Sequence, residues 1–64
     1  MYFQFWRSDA NNQWYWHIKG GNNEIVCSSE GYTEKSGVLN AIRLVKNSAD
    51  SAKVYDAQAN LVSV

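Results

Sequence analysis

A chain of 64 residues sits near the lower limit at which one domain can stabilise itself, burying only about 60% of the surface its unfolded form exposes. Its single cysteine, Cys27, excludes an internal disulfide, and no cluster of His, Cys and carboxylates offers a structural zinc site. Stability is therefore expected from aromatic packing (three Trp, four Tyr, two Phe), from a second copy, or from both, while six basic and six acidic side chains leave no positive excess for binding phosphates.

No apolar run approaches the ~18 residues of a membrane span, and no charged-then-apolar leader opens the chain. With an unpaired thiol, these features predict a soluble, cytoplasmic protein.

Tyr2-Phe3-Gln4-Phe5-Trp6-Arg7 predicts a first strand, with Phe3 and Phe5 facing inward and Tyr2, Gln4 and Trp6 outward. Ser8 to Gln13 is a polar loop whose Asp and Asn side chains suit left-handed dihedrals. The next stretch, Trp14-Tyr15-Trp16-His17-Ile18-Lys19, alternates with period two. As a strand it turns Trp14, Trp16 and Ile18 to one face, and Tyr15, His17 and Lys19 to the other. Gly20-Gly21-Asn22-Asn23 predicts a tight turn into a third strand, Glu24 to Ser28. A two-residue turn anywhere within Gly20–Asn23 puts Ile25 and Cys27 on the face of Trp14, Trp16 and Ile18; a three-residue loop reverses that.

Thr33 is the expected N-cap of a helix, with Glu34 in its first turn. At the junction before it, Glu30 is a second capping candidate and Gly31 a candidate for positive φ. Val38, Ala41, Ile42 and Val45 recur at helical spacing as an inward stripe that Leu39 and Leu44 widen. Gly37, costly inside a helix, marks a close approach to the sheet. Ser48 to Ser51 is the exit, and Lys53-Val54-Tyr55-Asp56 a short strand. Leu61 to Val64 either pairs as a further strand or frays. The fold expected is α+β: a β3-α-β unit over residues 1–56, with one helix on one face of an antiparallel sheet, and a C-terminal tail over 57–64.

Three blocks of sequence point to a family. Trp14-x-Trp16-x-Ile18-Lys19, then Asn23-Glu24-Ile25-Val26-x-Ser28-Ser29-Glu30-Gly31-Tyr32-Thr33-x-Lys35, then Asn40-x-Ile42-x-x-Val45-Lys46, together resemble the YegP-like family of small bacterial proteins, whose function is unassigned. The resemblance runs from about Tyr2 to about Asp56. It implies a unit that occurs in two copies, forming a continuous sheet with exchanged C-terminal strands. For a chain with one unit it implies a homodimer, with Lys53, Val54, Tyr55 and Asp56 as the exchanged segment.

Chemistry is sparse. His17 and Cys27 are the only residues for a histidine-activated thiol, but the strand pattern places them on opposite faces, with Cys27 packed and inert. Ser28, Ser29, Glu30 and Tyr32 gather at the strand-to-helix junction without an evident base and read as a solvated junction. Asn22-Asn23-Glu24 has too few ligands for calcium, and Gly20-Gly21 lacks the Lys-Ser/Thr of a phosphate loop. Asn40, mid-helix, bonds either to a sheet edge or to a second subunit. No catalytic residue, metal or cofactor is expected. The functional hint is the outward face: Tyr2, Trp6, Tyr15, His17 and Lys19, with Gln4 and Arg7 around them. Such a face serves as a second small core, as a protein-binding surface, or as a platform for stacking single-stranded nucleic acid. Zero net charge favours a protein partner over nucleic acid, and the expected function is a non-enzymatic interaction module.

Overall fold

The computed structural model covers residues 1–64. Alternating aromatic and aliphatic residues build β1 (Tyr2–Arg7), β2 (Trp14–Lys19) and β3 (Ile25–Ser28), an antiparallel meander in the order β1-β2-β3. One helix, α1 (Lys35–Ser48), follows and ends in a 3-10 turn at Ala49–Ser51. Two short strands close the chain, β4 (Val54–Tyr55) and β5 (Leu61–Val62), paired as a separate two-stranded sheet. The fold is α+β, as the periodicities predict, and no helix is long and apolar enough to cross a membrane.

Register fixes the faces. Phe3 pairs with Ile18, Phe5 with Trp16, and Trp6 with Tyr15. Directly opposed residues share a face, so Phe3, Phe5, Trp14, Trp16 and Ile18 form the inner side and Tyr2, Gln4, Trp6, Tyr15, His17 and Lys19 the outer. Tilted rings lock the inner layer, with Phe3 5.6 Å from Trp16 and Phe5 6.2 Å from Trp14. Trp16 is 8% exposed, and its indole Nε1 is buried with no hydrogen-bond partner.

The β2–β3 turn corrects one expectation. Gly20 N donates to Glu24 O at 2.8 Å across a three-residue loop, and Asn23 takes the left-handed conformation at φ 60°. That odd loop length pairs Ile25 with Lys19, on the outer side, rather than with the indoles. A bulge then shifts the register, so Cys27 returns opposite Ile18 on the inner side. Cys27 is nevertheless exposed, against the expectation of a packed thiol. The reason is geometric: α1 lies against β2, and β3 is a sheet edge outside its cover.

The helix starts one residue late. Glu34, with extended dihedrals (φ −127°, ψ 147°), occupies the N-cap in place of Thr33 and makes no side-chain capping bond. Val38 is fully buried, with Ala41, Ile42 and Val45 half-buried beside it, so the stripe holds. Leu44 departs from it, 65% exposed, because it lies about 120° round the helix from Val38. Gly37 meets Tyr32: a Cβ there would stand 3.2 Å from the Tyr32 ring carbon Cδ2. Gly31 takes no positive φ; a Cβ there would run into the Gln13 amide and stand 3.1 Å from the Tyr15 hydroxyl. Asn40 bonds within its own helix, accepting from Arg43 Nη1 at 2.8 Å.

Only Trp16 and Val38 are buried in the whole chain. The accessible surface is 5187 Å². A complete monomer of 7.3 kDa exposes about 4,200 Å², so about 1,000 Å² is in excess. The radius of gyration is 13.8 Å, against about 11 Å for a compact chain of this length.

Candidate functional site

The outer sheet face gathers the residues singled out from sequence. Trp6 lies beside Tyr15, rings nearly parallel at 22° with centroids 6.0 Å apart, and meets the tilted His17 ring at 4.7 Å. His17 Nε2 donates to Gln4 Oε1 at 2.8 Å, which ties the ring to β1. Tyr15 Oη accepts from Asn11 Nδ2 at 2.7 Å. Tyr2 Oη donates to Asn23 Oδ1 at 3.0 Å, pinning the β2–β3 turn to the first strand. Lys19 stands opposite Tyr2 at that end of the sheet. Trp6, Tyr15 and His17 thus form one cluster with the polar tips of Tyr15 and His17 already bonded, while Trp6 stays 39% exposed. Tyr2 and Lys19 sit at its margin.

Nothing here pairs a nucleophile with a base. Cys27 and His17 lie on opposite faces. Ser28 stands directly across from His17, yet the imidazole turns the other way, toward Gln4 and Trp6. Ser29 is structural: its Oγ accepts from Trp16 N at 2.9 Å and donates to Glu30 O at 2.9 Å. No group of three or more His, Cys, Asp or Glu residues gathers closely enough to hold a metal ion.

A second feature escaped the sequence. Between β1 and α1 an open groove of ≈ 580 Å³ is lined by Met1, Tyr2, Phe3, Phe5, Leu39 and Ile42, with Lys46 at its rim. Its clue was the helix stripe, which Leu39 makes wider than β2 alone can cover. Beyond α1, the segment Lys53–Asp56 forms β4 at Val54–Tyr55, and the tail is ordered as its partner: Val54 pairs with Val62 and Tyr55 with Leu61. Asp56 builds the turn, its Oδ1 accepting from Gln58 N and Asn60 N, both at 2.9 Å. These bonds, that from Asn60 foremost, hold the Asp56 carboxyl below the ordinary 3.8.

The chain also matches known sequences. Residues 9–56 fit the profile of a domain of unknown function, DUF1508. The chain belongs to this family. Among curated relatives, the UPF0339 protein NMB1088 of Neisseria meningitidis serogroup B is 35% identical over 56 residues, covering 88% of this chain and 98% of that protein. The UPF0339 protein YegP of Yersinia pestis is 32% identical over 50 residues, covering 78% of this chain but 45% of that protein. A UPF0339 protein encoded in the 5' region of the ptx operon of Stutzerimonas stutzeri is 32% identical over 53 residues, and the chain spans 48% of it. Family members thus occur at about one and about two lengths of this unit. The family match ends at Asp56, so β5 lies beyond it.

Proposed function

We propose that this protein is a non-enzymatic interaction module that works as a homodimer, exchanging its C-terminal segment and presenting the Trp6–Tyr15–His17 face to a protein partner. The observation that carries the reading is the excess surface of about 1,000 Å², close to the ~800 Å² each partner buries in an interface of standard size. The exchanged segment is Lys53–Asp56, whose Val54 and Tyr55 are exposed. Relatives of double length support a two-unit assembly, since they have room for both units in one chain.

The outer face supports the second half of the reading. Trp6 is a large ring held rigid by two neighbours, so a partner that covers it gives up little side-chain entropy. Balanced charge gives no reason for phosphate binding.

Sedimentation across micromolar concentrations tests the dimer, with a folded species of twice the 7.3 kDa chain mass expected. A folded single-chain species throughout overturns it. For the face, Trp6→Ala/Tyr15→Ala is expected to abolish capture of a partner from native extract while leaving the dimer mass unchanged. Titration with oligonucleotides at low salt addresses the competing class. Binding that steepens as salt falls would replace the protein partner with single-stranded nucleic acid, read by Tyr2, Trp6, Tyr15, His17 and Lys19.

A further inference from the structure

We propose that the β1–α1 groove binds a free medium-chain fatty acid, its alkyl chain along Phe3, Phe5, Leu39 and Ile42 and its carboxylate at Lys46 and Arg43. The site lies between sheet and helix, away from the Trp6–Tyr15–His17 cluster, and rests on neither half of the reading above.

Shape and charge together set the ligand. The groove's helical wall runs from Leu39 to Lys46, about 10 Å along the axis of α1. Its ≈ 580 Å³ falls within the roughly 300–1,000 Å³ of small-molecule sites. Phe5 is 38% exposed there, and Phe3, Leu39 and Ile42 are half-buried, so an alkyl chain covers apolar surface left wet by the fold. A smaller hollow of ≈ 260 Å³ continues past the shared residues Leu39, Ile42 and Lys46 to Arg43 and Asn47. Both cations stand on that side, and no acidic residue lines either hollow, Asp50 of the helix exit included. Asn40 Oδ1 engages Arg43 Nη1 at 2.8 Å, which leaves Nε and Nη2 as a fork for a carboxylate. The C-terminus of α1 opposes an anion with about half a negative charge, against two full positive ones. At the other end of the helix, Lys35 is engaged by the Phe5 and Trp14 rings, at 5.9 and 6.0 Å, and lines neither hollow. The groove is therefore apolar along its length and cationic at one end, the pattern of a single-chain acid.

Isothermal titration of the natural sequence with hexanoate, octanoate, decanoate and decanol tests this. Decanoate is expected to bind with a submillimolar Kd, and each methylene added along the series to tighten binding about threefold. Lys46→Gln/Arg43→Gln, at two exposed positions, is expected to weaken decanoate about fivefold and to leave decanol unchanged. In the NMR spectrum decanoate is expected to move the Leu39 and Ile42 methyl signals and to leave the Trp6 indole signal in place. Neither heat nor shifts at millimolar decanoate, the result when another copy already fills the groove, overturns the site. An equal loss for decanol in the double variant overturns recognition of the carboxylate. Shifts at Trp6 in place of Leu39 and Ile42 overturn the location.

Discussion

The three-stranded body and the C-terminal hairpin use the same device to different ends. Each turn in the molecule closes through one residue in the left-handed region: Asn12 at φ 59°, Asn23 at φ 60° and Ala59 at φ 66°. In the body that residue is Asn, whose short amide tolerates the conformation, and the strands it joins include β2, which lies under the helix and packs its indoles against Phe3 and Phe5. In the hairpin it is Ala, which gains nothing there, and the strands it joins have nothing over them. The body is organised around contacts it makes itself. The hairpin has the shape of a finished element without the burial that holds one in place, and burial is what decides whether a short β-ribbon persists.

The contrast breaks most sharply at Trp16. Trp16→Ala is expected to cost about 3–5 kcal/mol and unfold much of the body, whereas Leu61→Ala in a dilute, unassociated sample moves the denaturant midpoint of the body by less than about 0.5 kcal/mol. Chemical denaturation followed by tryptophan fluorescence measures both. Ala59→Gly sharpens the comparison from the other side. Relief of the left-handed strain is expected to stabilise the hairpin by about 1 kcal/mol, read from hydrogen exchange at the Asp56 amide, which donates to Asn60 O, with the body unchanged. Acid acts on the same turn. The Asp56 carboxyl titrates below its unfolded value, so its contribution is complete above that value and is lost as pH falls through the folded one. The Gln58 and Asn60 amide signals are therefore expected to move toward unfolded positions below about pH 4, and Asp56→Asn to abolish that pH response. The smallest effect is at Cys27. Exposed at the β3 edge, it is expected to react fully with a thiol reagent under native conditions, and Cys27→Ser to change stability by no more than about 0.5 kcal/mol.

What could be read from the sequence follows the range of the forces involved. The indole alternation in Trp14–Lys19 set the inner and outer faces, and pairing of Phe3 and Phe5 with that inner set follows from the same period. The outer cluster was legible for the same reason. Ile25 was not, because a single extra residue in the turn reverses a face, and whether Asn22 or Asn23 carries the positive φ is decided by local geometry that composition leaves open. Cys27 and Leu44 depart from the periodicity for a different reason. Periodicity tells which way a side chain points, but not how far the covering element reaches, and α1 falls short of β3. The groove required both β1 and α1 in place, and choosing pairing over fraying for Leu61–Val64 required knowing that Asp56 would turn the chain back on itself.

The unpartnered indole nitrogen of Trp16 gives the protein an internal clock. A hydrogen sealed between helix and strands, with neither acceptor nor solvent beside it, has no route to deuterium until those layers separate. Its rate of isotope replacement therefore times the parting of the main sandwich, and does so independently of the ribbon at the far end of the chain.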